Sequence, residues 1–327
     1  MKRNYVRESF GEAKLLYEAY DETMLELVGK NSDIVCVYAD YYKGSTGKFL
    51  EKEYPDRIYD LGIAEANVIG TAAGIAAAGK IPFTHCHMIF CVGRAYNQIR
   101  QNIAYDRFNV KMLLGNSGIL WPSSGASHQS IEDIAALRAI PNIVLVSPAD
   151  PVETKKVTKA AAEYVGPVAI RLEACYPDLP PVPAIYREEY PFELGKAVTV
   201  LDGEDATLIV TGTVLVDSLE AADLLAREGI NVRLLDMHTL KPIDEEAIIT
   251  AAKETAAIVT VEDSSIIGGL GGAVAEVIVE NYLVPVRRVG IRDRFGQTGT
   301  AEELKEEYEI SAHYIAEAVR EVVKKKK

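Results

Sequence analysis

A single carboxylate, Glu65, opens an otherwise uncharged stretch that runs from Gly62 to Gly79 and is built almost wholly of Ala, Gly, Ile and Val. A helix that is small or apolar on nearly every face is buried, against its own core or against another chain. At the first turn of such a helix a carboxylate gains from the macrodipole and loses water. On these residues alone two roles stand open for Glu65: a helix cap, or a group that handles a proton. The second candidate is His128, near the end of a loop, 115–129, made of little but Gly, Ser, Pro and Asn with single Ile, Leu, Trp and His residues. Small residues let backbone approach a ligand closely, and a neutral imidazole there suits an acid, base or hydroxyl donor near neutral pH. A capping or surface histidine is the plainer alternative. His85-Cys86-His87 has the composition of a metal cluster. No third ligand follows at zinc spacing, however, so no metal is assigned.

The elements that must position these groups alternate. Before residue 176, strand-like runs at 33–39, 58–61, 81–87, 110–115, 143–146 and 168–172 are separated by helical ones at 11–27, 65–78, 93–105, 130–138 and 151–164. After residue 192 the alternation resumes, with strands at 207–211, 231–235, 257–261 and 284–289 and helices near 214–227, 244–254 and 270–281. Strands separated by helices of this length imply parallel sheets with right-handed crossovers. The fold class expected is therefore α/β, with two three-layer α/β/α domains. Between them, Pro177, Pro180, Pro181, Pro183 and Pro191 mark an extended connector. The boundaries drawn are 1–175, a linker at 176–192, and 193–327. In such sheets ligands sit beyond the carboxyl ends of the strands. Glu65 and the 115–129 loop both follow a strand directly.

Bulk properties exclude several classes. The 327 residues suffice for two full cores. A net charge of −13 argues against non-specific nucleic-acid binding. No apolar run is long and uninterrupted enough to read as a membrane span, and Met1-Lys2-Arg3-Asn4 opens no secretory signal. Cys36, Cys86, Cys91 and Cys175 form no Cys-x-x-Cys pair, which fits a reducing cytoplasm. The Lys324–Lys327 tail reads as a solvated end.

Three series add a resemblance: Asp60-Leu61-Gly62-Ile63-Ala64-Glu65-Ala66-Asn67, Gly93-Arg94-Ala95-Tyr96-Asn97-Gln98-Ile99-Arg100, and Gly125-Ala126-Ser127-His128-Gln129-Ser130-Ile131-Glu132-Asp133. With Ile140-Pro141-Asn142, Ser147-Pro148-Ala149-Asp150, Thr260-Val261-Glu262-Asp263 and Gly268-Gly269-Leu270-Gly271, the chain resembles the transketolase family from about Tyr5 to its end. It is similar to the C-terminal half of a full transketolase, the pyrimidine-binding domain plus the C-terminal domain. The resemblance implies thiamine diphosphate at a subunit interface, with Glu65 on pyrimidine N1′, Phe90 stacked on the ring and Asp40 near the cofactor. A buried carboxyl can share a proton with N1′, which is a sound chemical use for an otherwise costly group. His128 matches the histidine that contacts the substrate hydroxyl.

The family holds diphosphate and Mg²⁺ through a Gly-Asp-Gly and a later Asn, oxygen ligands that suit a hard cation. Asp202-Gly203 with Asn231 imitates that pair but lacks the first Gly, and is read as a turn before the strand at 207–211. The resemblance therefore implies a partner subunit carrying the diphosphate domain and the Mg²⁺ site, assembled as α₂β₂. Arg7 and Ser45 match positions that grip a sugar phosphate. Asn116 stands where the family usually has His, Ala174 where it has Arg (three residues beyond Arg171), and Ser124 where it has an acid. Arg7, Ser45, Asn116, Ser124, His128 and Arg171 are the substrate-binding positions expected. Each charged hydrogen bond lost is worth about 1.5–3 kcal/mol, so the exchanges point to an unusual sugar. Trp121, in the same loop, lines the pocket or the core.

The function expected is that of the C-terminal subunit of a split transketolase, moving a two-carbon ketol group between a ketose and an aldose. A 2-oxoacid dehydrogenase beta subunit is the alternative of similar length, but Gly125-Ala126-Ser127-His128-Gln129 follows the transketolase pattern. A deoxyxylulose-phosphate-synthase-like subunit is a further enzymatic alternative. A decayed, non-catalytic interaction module is the alternative from another class, and Glu65, His128 and Asp40 speak against it.

Overall fold

The computed structural model describes residues 2–40, 48–119, 121, 123–173 and 180–326. The first part of the chain runs β1 (Ala13–Lys14), α1 (Leu16–Lys30), β2 (Ile34–Tyr38), α2 (Lys48–Glu53), β3 (Ile58–Asp60) and α3 (Glu65–Ala77). It continues with β4 (Ile81–His87), α4 (Met88–Gln98), β5 (Lys111–Gly115), α5 (Asp133–Arg138), β6 (Val144–Val146), α6 (Pro151–Glu163) and β7 (Val168–Leu172). The second part runs β8 (Val182–Pro183), β9 (Val198–Leu201), β10 (Ala206–Val210), α7 (Leu215–Arg227), β11 (Val232–Asp236) and β12 (Thr239–Lys241). It ends with α8 (Glu245–Thr255), β13 (Ile258–Ser265), α9 (Leu270–Asn281), β14 (Val286–Ile291), α10 (Ala301–Glu307) and α11 (Ala312–Val323).

Two α/β sheets result. The larger has the order β12-β6-β7-β5-β4-β2-β3 and the smaller β14-β13-β10-β11-β9. Strands such as Ile34-Val35-Cys36-Val37-Tyr38 are buried at every position, as a parallel strand covered on both faces must be. In each sheet an antiparallel edge strand joins the parallel ones: β12 on β6, and β9 on β11. The parallel register sets Tyr38 beside both Asp60 and His85, His87 beside Gly115, and Gly115 beside Leu172. The carboxyl ends of β2, β3, β4, β5 and β7 thus form one edge. None of the described helices is long and apolar enough to cross a membrane.

The structure differs from the sequence expectation at instructive places. The helix expected from residue 93 begins at Met88, because β4 turns into it directly at His87. The helix expected from residue 130 begins only at Asp133, because Ser130 bridges to Ser117 and Gly118 instead. The strand expected to end at 261 runs on to Ser265. The strands β9 and β12 and the helices α10 and α11 are additions to the expected order. Over its described part the Pro-rich connector is no loose tether: Val182–Pro183 pairs with Ala13–Lys14, and Ile185, Tyr186 and Tyr190 are buried. Asp202 and Gly203 lie between β9 and β10, in the turn position expected.

The seam between the sheets is unusually acidic for a buried surface. Arg171 is fully buried and its guanidinium meets Asp133 (2.8 Å), Glu173 (2.7 Å) and Asp263 (2.7 Å). Close by, Tyr186 donates to Asp236 and Tyr190 to Glu153, each at 2.6 Å, with the two tyrosine rings stacked 4.1 Å apart. Asp150 accepts the backbone N–H groups of Glu153, Ile185 and Tyr186, so it caps α6 and holds the connector. Burial and the neighbouring Asp236 carboxyl push Glu153 well above the usual carboxylate range, which favours its protonated form. Burial pushes the carboxyls of Asp236 and Glu262 up to about 7 and that of Glu173 up to about 8.

Two outcomes follow from this seam. The folded chain keeps protons on these carboxyls that the unfolded chain releases above about pH 4, so they contribute a loss of stability as pH rises from there to about 8. Lys111, pulled down to about 7 by burial, opposes this slope above neutrality. Comparing the wild type with Asp236→Asn cancels the lysine's contribution. The urea midpoint of the variant should fall less between pH 6.5 and 8, and equal slopes would contradict the stored proton. Arg171→Met leaves buried carboxylates without their cation and should cost about 3–5 kcal/mol in the same unfolding measurement.

Candidate active site

Glu65 is the first residue of α3, placed there by the short turn after β3. It is 5% exposed. The N-cap position is Ala64 and no side chain caps the helix, so Glu65 is not acting as its cap. Its two oxygens instead face Arg94 of α4, at 3.3 and 3.4 Å. The Arg94 guanidinium also lies 4.6 Å over the ring of Phe90, one turn earlier on the same helix. Asp60, at the end of β3, accepts the backbone N–H groups of Asp40 (3.0 Å) and Gly62 (2.9 Å). One carboxylate thereby fixes the chain as it leaves β2 and as it approaches Glu65. Asp40 itself takes a left-handed conformation, with φ of 55°.

His128 stands at the end of the 3₁₀ turn Gly125–Ser127. Its Nδ1 is 2.8 Å from the Ser127 hydroxyl. Its ring meets Phe90 edge-on at 5.0 Å and Trp121 at 4.9 Å. Trp121 stacks flat on His87, with centroids 5.0 Å apart and planes 11° from parallel. The Asn116 amide nitrogen lies 3.2 Å from His87 Nδ1. As the amide donates there, the imidazole proton is left on Nε2. Burial, with His128 nearby, pulls His87 down to about 4, so its ring is neutral at physiological pH. Phe90, His87, Trp121 and His128 form one aromatic wall, and Asn116 supports it at the end of β5.

Of the positions anticipated from sequence, Glu65, Phe90, His128 and Asn116 come together here. Asp40 stands at the same sheet edge, and Ser124 opens the turn that carries His128, its carbonyl accepting the Ser127 hydroxyl at 3.3 Å. Ser45 and Ala174 lie outside the described residues. Two expectations fail on geometry. Arg171 is not a substrate group: its side chain points into the seam, and a fully buried guanidinium bound to three carboxylates has nothing left for a ligand. Arg7 is not at the aromatic wall either. Its Nε donates to the Tyr186 carbonyl at 2.9 Å, and it lines a groove with Gly11, Lys14, Glu18 and Lys155.

The structure adds three groups that sequence reasoning did not assign. His87 drew notice only as a metal ligand, though its place at the last position of a strand is a usable signal. Arg94 lies in a motif that carries the resemblance, but nothing in its spacing ties it to Glu65. Asp60 opens a series that carries the resemblance, but nothing in its spacing ties it to the backbone of Asp40.

Comparison with known proteins agrees with this geometry. The family described as transketolase, pyrimidine binding domain, matches residues 14–174, and that described as transketolase, C-terminal domain, matches residues 195–315. The chain is 40% identical to the 6-deoxy-6-sulfo-D-fructose transketolase subunit SqwH of Clostridium sp., over 96% of each chain. It is 38% identical to a subunit of the apulose-4-phosphate transketolase of Phocaeicola vulgatus, over 94% of this chain and 97% of that one. Among solved structures, a split gene transketolase described as an inactive beta4 tetramer superposes with a TM-score of 0.86 at 39% identity, covering 97% of this chain and all of that one. With both domains matched in order and full-length relatives at such identity, the chain belongs to the transketolase family, a thiamine-diphosphate-dependent family, as the C-terminal subunit of a split enzyme.

Proposed function

We propose that this chain supplies the pyrimidine half of a two-chain active site that moves a two-carbon ketol unit between a ketose and an aldose. The partner chain carries the diphosphate and Mg²⁺ ligands, and two copies of each form α₂β₂. The observation that carries the reading is the way Glu65 and Phe90 already hold a planar, N–H-donating group, the Arg94 guanidinium, with hydrogen bonds on its edge and a ring against its face. An aminopyrimidine asks for the same two contacts, so the residues present fit the cofactor's pyrimidine end. When bound, thiamine diphosphate supplies the carbon nucleophile that takes up the ketol unit.

The residues of this chain then do the rest. Glu65, withdrawn from water, holds a proton at the ring nitrogen, and Phe90 supports the ring face. His128 hydrogen-bonds a substrate hydroxyl, its own ring set edge-on between Phe90 and Trp121. The partner requirement is supported by the missing Gly-Asp-Gly and by α3, which keeps Asn67, Gly74 and Ala77 exposed on one face beside the 74% exposed Ile63. A helix face of small side chains left exposed beside an exposed isoleucine suits the approach of another chain.

For the sugar, Asn116 stands uncharged where the family usually has a histidine that grips a phosphate, and the neutral His87 lies beside it. The reading is a sugar that bears a different anionic group, or none, at that end. The relatives support such latitude, since one is named for a sulfonated sugar and the other for a different sugar phosphate.

Three measurements test this. Mixing the chain with a diphosphate-domain partner should create ketol-transfer activity absent from either alone, with a mass by light scattering of two of each. In that complex Glu65→Gln, which cannot hold the proton, should lower kcat by about 10²–10⁴-fold while circular dichroism stays unchanged. Loss of one charged contact predicts kcat/KM on xylulose 5-phosphate and ribose 5-phosphate at least about tenfold below that on 6-deoxy-6-sulfo-fructose or a non-phosphorylated ketose. Efficient turnover of both 5-phosphates would refute the unusual-sugar reading.

A further inference from the structure

We propose that Gln129 is the positioning residue for His128, and that through it the second domain sets the substrate end of the active site. The inference rests on the reading of His128 given above. Gln129 is 2% exposed. Its Nε2 lies within bonding distance of three carbonyl oxygens: Ile119 at 3.1 Å and Trp121 at 3.4 Å on its own loop, and Gln297 at 3.1 Å on the second domain. Two hydrogens face three acceptors, so one hydrogen is shared, and all three acceptors fix the amide's orientation. One side chain thus pins the two ends of the wide loop to each other and to a segment 168 residues away.

The opposite side of the same amide is held by shape. A β-carbon on Gly296 would lie 1.8 Å from Gln129 Oε1 and 3.0 Å from its Cβ, so only a glycine lets the second-domain loop pass over it. Beside it, Gly125 begins the turn that carries His128, at φ of 63°, and a β-carbon there would sit 2.8 Å from the Thr298 hydroxyl. The backbone N–H groups of His128 and Gln129 both return to the Gly125 carbonyl, at 3.0 and 3.1 Å. The imidazole therefore rides on a turn clamped by residues 296–298, with Gln129 as the peg. This gives the second domain a task in the reaction although it brings none of the residues of the aromatic wall.

The test uses Gln129→Ala and Gly296→Ala, the first removing the peg and the second pushing it from the other domain. In the reconstituted complex each should lower kcat/KM for the sugar by about tenfold or more and leave the half-saturating thiamine diphosphate concentration unchanged, since His128 is read as holding the sugar while Glu65 and Phe90 hold the cofactor. On a His128→Ala background Gln129→Ala should have little further effect, because it acts through that ring. In the chain alone, Trp121 is the only tryptophan and is 7% exposed, so its emission should shift to the red in both variants with circular dichroism retained. Sugar kinetics within about twofold of wild type, or a full multiplicative effect on the His128→Ala background, would overturn the inference. If the wild-type pair transfers no ketol unit, the proposed function fails. The tryptophan readout then still decides the inference, which an unshifted emission in both variants overturns.

Discussion

The rest of the structure depends on a cation buried among acids. Arg171, one residue from the end of its strand, points into the seam and binds Asp133 at the start of α5, Glu173 just beyond its own strand, and Asp263 on β13. Taking such charges out of water costs several kcal/mol for each ion, and their mutual attraction returns that only when every partner is in place. The cluster therefore specifies one relative position of the two sheets rather than supplying much net stability. The carboxylate of Asp263 also sits directly beneath Gly118, where a β-carbon would lie 1.6 Å from Oδ2. That close approach passes the seam's geometry into the loop that carries Trp121 and His128.

The site exploits what parallel sheets make available. Five strands end along one edge, and short returns from them bring Asp40, Asp60, Glu65, His87 and Asn116 to the same face of the domain. The charge economy there is split. Near α3 a buried carboxylate is balanced by Arg94; near β5 the groups are neutral, with His87 kept uncharged by burial and oriented by an amide. A thiamine pyrimidine suits the first environment. The second suits hydroxyl groups better than a phosphate dianion, whose recognition favours fixed cations.

Much of the fold was legible because apolar periodicity reports directly on burial. The strands at 33–39, 81–87 and 168–172 were read within a residue or two, and α6 nearly to the residue. The edge strand β12 escaped because it is three residues long and pairs with a strand some ninety residues earlier, a partnership no local pattern encodes. The amphipathic α11 was legible in principle, since Ile315, Ala316, Val319 and Val322 mark one buried face, but no strand follows it to extend the alternation. Glu65 and His128 stand out in the sequence because each lies in a motif close after a strand, whereas Phe90 is reached only through the family resemblance. The roles of His87 and Arg94 do not show in the sequence, because their partners come from other segments: Asn116 and Trp121 for the first, Glu65 for the second.

Chain composition and order were enough to define two α/β units and a carboxylate too isolated to be ornamental. Those are local properties: apolar spacing and turn residues can be read without knowing which segments meet. The direction of Arg171 could not be read that way. A lone arginine near a strand's end suits an anion site or a buried clasp equally, and its partner Asp263 is 92 residues distant. The same holds for the peg at Gln129, whose second-domain acceptor and covering glycine become neighbours only when the sheets pack. Side-chain alternation tells which face a residue occupies; long-range packing chooses what lies across from it.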